Sequence, residues 1–135
     1  MGVERKIYYL SLFFASVGLL SSIYLTVTKY TSLQLACPDT GVIDCTNVLT
    51  SQYASLYGVP NVILGVVFFV VMFAVITLVK NKDAFVILSG IGMAFVLYYI
   101  YAEYMVRSIC IYCTVVHIST IALLILALIN SNGKD

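Results

Sequence analysis

Charge is what this 135-residue sequence has least of: Asp, Glu, Lys and Arg make up 10% of it, against 62% hydrophobic residues, and the mean hydropathy is +1.06. So few charges do not coat a water-facing surface, which excludes an ordinary soluble domain and implies an integral membrane protein. A formal net charge of +1 leaves no basic footprint for nucleic acid. Histidine occurs once, so there is no paired-histidine haem arrangement. A glycine-rich nucleotide fingerprint is also missing, and no length is left for a separate flavin domain.

What the sequence has instead is apolar length. Ile7–Thr28, Pro60–Val79, Ala84–Val106 and Cys110–Ile129 can each cross about 30 Å of hydrocarbon at about 1.5 Å per residue. The first run follows Arg5 and Lys6 as a signal peptide would, but it is longer than the apolar part of such peptides and lacks a small-x-small cleavage site. The expected fold is all-α: one membrane domain over 1–135, a four-helix bundle with helices at about 7–28, 60–79, 84–106 and 110–129 and a loop over 30–59. Short turns at 80–83 and 107–109 make the last three helices antiparallel neighbours, and Gly65, Ser89, Gly90, Gly92 and Ala94 offer close backbone approach.

Arg5, Lys6, Lys80, Lys82 and Lys134 fall on one side of this bundle and only Lys29 and Arg107 on the other, so the termini are expected in the cytoplasm of a multi-pass cell-membrane protein. All four cysteines, Cys37, Cys45, Cys110 and Cys113, then lie on the extracytoplasmic side, where disulfides persist. Within the loop, Pro38-Asp39-Thr40-Gly41 reads as a turn. Asp44–Tyr53 reads as a short helix over the bundle mouth, with Asp44 as its cap. Gly58-Val59-Pro60 turns the chain into the second helix.

Cys110-Ile-Tyr-Cys113 opens the fourth helix, placing two sulfurs on one turn at the end where free amides and the helix dipole favour a thiolate. A zinc site is disfavoured because Cys37 and Cys45 do not form a second close-spaced knuckle, so no metal is expected. Two readings of the four sulfurs stay open. Either they brace the outer loop of a non-enzymatic transporter, or they form a relay in which the loop pair exchanges with the inner pair and a lipid-soluble quinone accepts the electrons. His117 shares a helical face with both inner cysteines, and Asn61 lies in the first turn of the second helix; each can hydrogen-bond a ring carbonyl. Glu103 and Arg107 are spaced for an intrahelical ion pair. The 11 tyrosines, Tyr98, Tyr99, Tyr101 and Tyr104 among them, read chiefly as an interfacial belt.

Cys37 and Cys45 with seven residues between them, Ser51 six residues on, Gly58-Val59-Pro60-Asn61 with Gly65 beyond, and the Cys110–Cys113 pair together resemble the vitamin K epoxide reductase family, in its small microbial form. That resemblance covers essentially the whole bundle. It implies four helices around a quinone pocket capped by the loop helix, with menaquinone or ubiquinone as electron acceptor. Cys37 and Cys45 match the shuttle pair, Cys110 the inner cysteine that exchanges with them, and Cys113 the cysteine nearest the quinone. Ser51 matches the loop residue at the quinone, Asn61 matches the asparagine that bonds the ring, and Leu49, Tyr53, Leu64 and Phe68 match pocket walls. His117 stands where vertebrate members carry a tyrosine. With the sequence ending at Asp135, a separate extracytoplasmic thioredoxin-like protein is the expected thiol partner. The implied activity is thiol oxidation coupled to quinone reduction, with quinone-epoxide reduction as the alternative use of the same cysteines.

Overall fold

The computed structural model of the chain describes residues 2–31, 55–56, 58–107 and 109–132. Four long helices account for nearly all of these: α1 (Gly2–Thr31), α2 (Asn61–Ala74), which continues as a π-helical turn over Val75–Val79, α3 (Lys82–Val106) and α4 (Ile111–Asn132). Each holds a stretch long and apolar enough to cross a membrane: Arg5–Thr28, Asn61–Val79, Lys82–Val106 and Ile111–Ser131. The all-α multi-pass bundle read from hydropathy is therefore present. α1 runs past its apolar run at both ends, because hydrocarbon thickness limits the apolar side chains and not the hydrogen-bonded backbone. The short helix expected over Asp44–Tyr53 lies outside the described residues.

The loop rejoins the bundle through a small hairpin. Strand β1 (Ser55–Leu56) pairs antiparallel with β2 (Val59–Pro60), Leu56 opposite Val59. Gly58 between them has φ +84°, a conformation that a Cβ disfavours and that tight hairpin turns demand. Pro60 then delivers the chain directly to Asn61 at the start of α2.

The other turns are equally tight. The π-helical turn stops at Lys80, whose left-handed backbone (φ 53°) lets its amide donate to the Val75 carbonyl. Asn81 caps α3, its side-chain oxygen accepting from the amides of Asp83 at 2.8 Å and Ala84 at 3.2 Å. α3 ends when Arg107 turns left-handed (φ 62°) and its amide folds back onto the Glu103 and Tyr104 carbonyls.

Packing does not follow chain order. α1 lies against both α2 and α4, and α4 also carries α3, while α2 and α3 touch only sparsely despite the short turn that joins them. α2 and α3 are thus antiparallel but splayed, not the close neighbours that the turn length implied. The core that fixes this order contains Ala15, Phe69, Met72, Phe85 and Leu123. Phe69 fills the space left at Gly18, where a Cβ would overlap its ring. Of the small residues expected at helix contacts, Gly65 abuts Ser22 and Gly92 abuts Phe68, but Gly90 and Ala94 face outward. Leu20, Leu78, Ile87 and Leu97 are exposed, and Ser11, Ser22, Ser89, Ser119 and Thr120 are buried. This inverted distribution suits a bundle bathed in lipid, where small polar residues pack between helices.

The two ends differ in chemistry. Lys80, Asn81 and Lys82 gather with Ile7, Tyr8 and Asn130 at one end. At the other, Leu25 of α1, Val62 of α2 and Cys110 form a small buried cluster with Ile63, Tyr112 and Cys113 packed on it.

Candidate functional site

Cys110 stands immediately before α4, where the first helical amides have no intrahelical acceptor and point at whatever precedes them. Its carbonyl starts the helix by accepting from the Thr114 amide at 2.9 Å, and the Thr114 hydroxyl reaches the same oxygen at 2.9 Å. Its sulfur takes hydrogen bonds from the Cys113 thiol and from the amides of Cys113 and Tyr112. The Cys113 thiol is the largest influence, and with the amides it holds the Cys110 thiol below the ordinary range. This prevails over burial and the nearby Glu103 charge, both of which push the value up. Both cysteines are free thiols, Cys110 buried and Cys113 half-buried. The arrangement favours Cys110 of the two as the sulfur that carries negative charge.

Below this pair, toward the middle of the bundle, a cavity of about 200 Å³ opens where α2 and α3 diverge. Leu64 and Phe68 of α2, Gly92, Phe95 and Tyr99 of α3, and His117 of α4 are among its walls. Two constraints keep it open: Gly92 has no side chain to push Phe68 aside, and Thr120 turns its hydroxyl back onto the Val116 carbonyl at 2.9 Å. The Tyr99 hydroxyl is buried with no hydrogen-bond partner among the described residues. Tyr99 and His117 in a largely apolar lining fit a flat ring bearing carbonyl oxygens.

His117 joins the cavity to the thiol end. It is 7% exposed, its ring lies against Tyr99 with centroids 6.2 Å apart and planes inclined by 22°, and its Nδ1 faces the Glu103 carboxylate at 3.6 Å. The other oxygen of that carboxylate accepts the Cys110 amide at 3.0 Å. The ion pair expected between Glu103 and Arg107 is not formed. Arg107 is the left-handed residue that ends α3, so its side chain departs from the helical track on which the i,i+4 spacing depends, and it stands exposed.

Of the residues singled out from sequence, Leu64, Phe68 and His117 meet at one cavity, and Cys110 and Cys113 lie above it. Asn61 is half-buried in the first turn of α2, beside the Val62 that packs on Cys110. Cys37, Cys45, Leu49, Ser51 and Tyr53 lie outside the described residues. Sequence reasoning missed Glu103 and Tyr99 as site residues. Glu103 had a signal, an acid within a membrane span; Tyr99 had none that set it apart from its neighbouring tyrosines. Among the described residues no group of three or more His, Cys, Asp or Glu side chains is placed to hold a metal ion.

No curated protein matches the chain. The family model that does match spans residues 9–128, from the second turn of α1 to the last turns of α4. A helix-opening dithiol above an intramembrane cavity is the arrangement such a match calls for: the chain belongs to the vitamin K epoxide reductase family, and it is an oxidoreductase of quinone-linked disulfide chemistry.

Proposed function

We propose that the protein makes disulfides in an extracytoplasmic thioredoxin-like partner and delivers the electrons to a membrane quinone, ubiquinone or menaquinone. The positive residues at the Lys80–Lys82 end support a cytoplasmic side for that end and an outer side for the thiol end. In the oxidised enzyme Cys110 and Cys113 share a disulfide. A Cys45 thiolate attacks the Cys110 sulfur; an S–S bond forms between them, and Cys113 leaves and takes up a proton. Cys37 then attacks Cys45, closing the loop disulfide and expelling Cys110 as a thiolate. The loop disulfide exchanges in turn with the two thiols of the partner.

The observation that carries this reading is the hydrogen-bonded sulfur of Cys110 at the start of α4. A thiol held below its ordinary range is a good leaving group, and Cys110 is the sulfur that must leave when the mixed disulfide resolves. A quinone bound in the cavity supplies a lipid-soluble acceptor for two electrons and two protons. Leu64 and Phe68 flank such a ring, Tyr99 and Asn61 donate to its oxygens with His117 beside them, and Ser51, Leu49 and Tyr53 close the site from the loop. Recharging the inner pair joins the Cys110 thiolate and the Cys113 thiol in one S–S bond; its two electrons and the Cys113 proton go to the acceptor, and the second proton comes from water, which gained one from the loop thiols.

The test supplies the purified protein with a reduced thioredoxin-like protein and ubiquinone or menaquinone and follows quinone absorbance. Cys113→Ala should abolish turnover; continued quinone reduction without Cys113 would sink the proposed inner centre. Running a quinone epoxide in parallel separates oxidase from epoxide reductase, and faster turnover of the epoxide would reverse the assignment.

A further inference from the structure

Glu103 is the residue that the relay described above leaves idle. An acid one turn from the end of a membrane span is costly to hold there without partners, and its side chain is only 12% exposed. Its partners are specific. One oxygen accepts the Cys110 amide at 3.0 Å, and the other faces His117 Nδ1 at 3.6 Å, a separation that closes to a hydrogen bond with a small side-chain adjustment. The carboxylate thus ties the residue carrying the reactive sulfur to the one polar ring on the α4 wall of the cavity. Cys113 and His117 are one helical turn apart on α4, so their side chains are neighbours on one face.

We propose that Glu103 is a positioning residue that holds neutral His117 with its proton on Nδ1, leaving Nε2 as the base that takes the Cys113 thiol proton and passes it to an acceptor oxygen in the cavity. This deepens the function proposed above and rests on it for the proton's destination. A carboxylate accepting from Nδ1–H fixes ring orientation and tautomer, and it stabilises the imidazolium formed when Nε2 gains a proton; the same logic operates wherever a carboxylate, an imidazole and a nucleophile stand in series. The step balances. As the inner disulfide forms, the Cys113 S–H bond breaks and its proton moves to Nε2 and on to one acceptor oxygen, while the electron pair released by the two sulfurs enters the acceptor. The second oxygen takes a proton from the water at the outer mouth, which received one from the loop thiols when Cys110 was expelled as a thiolate. The groups that face this path are Cys110 and Cys113 at the start of α4, Tyr99 stacked on the imidazole and Glu103 itself; Arg107, the nearest cation in sequence, is exposed and takes no part.

The test exploits the single histidine of the chain. Protein labelled with ¹⁵N only at histidine gives one pair of ring-nitrogen resonances, whose shifts report which nitrogen carries the proton, with no quinone present. The Nδ1–H form is expected in the unsubstituted protein. Glu103→Gln, which keeps an oxygen for the Cys110 amide but loses the charge, should move the proton toward Nε2 and lower quinone-dependent kcat by about 100-fold, within the range for general acid–base groups. KM should change little. An Nε2–H form in the unsubstituted protein overturns the proposal before any variant is made, so a Glu103→Gln protein that fails to fold leaves it testable. Identical nitrogen shifts and kcat in Glu103→Gln overturn it as well. If the unsubstituted protein reduces no quinone, the assigned function and the proton's destination both fall, while the nitrogen spectrum still decides the pairing.

Discussion

Gly92→Ala adds one methyl group to the cavity wall. A Cβ at Gly92 would lie 2.5 Å from Cζ and 2.7 Å from Cε1 of Phe68, and 3.0 Å from Cγ2 of Thr120. Carbon atoms rest comfortably at about 3.5–4.0 Å, so the Phe68 ring must retreat by roughly 1 Å. Behind Phe68 stands Phe69, its ring 5.0 Å away and nearly perpendicular, with no exposure of its own; the free direction is the cavity, of about 200 Å³. Overpacking of this kind costs about 1–3 kcal/mol. If the ligand must push the ring back, that energy is subtracted from binding and raises the quinone KM about 5- to 150-fold, at about 1.4 kcal/mol per decade. Gly90→Ala, two residues away with nothing within 4 Å of its added methyl, is the matched control and should leave KM unchanged. The assay is quinone reduction by protein in nanodiscs, with thiol–disulfide exchange between the enzyme and its reduced partner measured separately and expected to stay normal. Phe68→Leu in the Gly92→Ala background should recover part of the loss. Equal KM values for the two alanine variants would refute the cavity as the ring site.

Three other outcomes follow from the same geometry. With Cys37 and Cys45 replaced by serine, the rate of Cys110 alkylation should rise with pH at a lower midpoint than an ordinary thiol shows. Cys113→Ala should move that midpoint upward, because the Cys113 thiol is the largest influence stabilising the Cys110 thiolate; coincident curves would refute the hydrogen bond. Tyr99→Phe removes a buried hydroxyl that has no partner among the described residues. It should stabilise the ligand-free protein by about 1 kcal/mol yet raise the quinone KM about tenfold, and a KM equal to that of the unsubstituted protein would show that the hydroxyl faces no ligand. Arg107→Gly should raise stability by about 1 kcal/mol, measured by thermal melting, because glycine adopts the left-handed backbone (φ 62°) without strain; lower stability would instead restore the ion pair with Glu103.

Hydropathy located the helices because hydrocarbon imposes one requirement on every span, a long run of apolar side chains with all backbone bonds satisfied internally. Leu64, Phe68 and His117, singled out from sequence, come to one cavity in the structure. The packing order was not. Hydropathy carries no record of which faces meet, and the turn at 80–83 constrains only the ends that it joins. What separates α2 from α3 is the pairing of Phe69 with Gly18 on α1, a match of one large and one absent side chain at distant positions. Glu103 was misread for a related reason. The i,i+4 rule assumes that both residues are helical, and Arg107 is the residue at which the helix stops.

That misreading bears on how the site works. Had Glu103 paired with Arg107, its charge would have been spent at the surface of α3, and the thiol end and the cavity would share no polar link beyond α4 itself. Because Arg107 turns the chain instead, the carboxylate is free to reach the Cys110 amide and His117 on the next helix. The same left-handed residue brings α4 back directly after α3, which sets Cys110 over the end of the helix that carries Glu103. One backbone conformation thereby serves two ends: it reverses the chain within a few residues, and it turns an acid that would otherwise be costly in the span toward Cys110 and His117. A helix running on through 107 would lose both, so lengthening the helical end here, by Arg107→Ala with Ser108→Ala, is a harsher perturbation of the thiol centre than removal of the arginine charge alone.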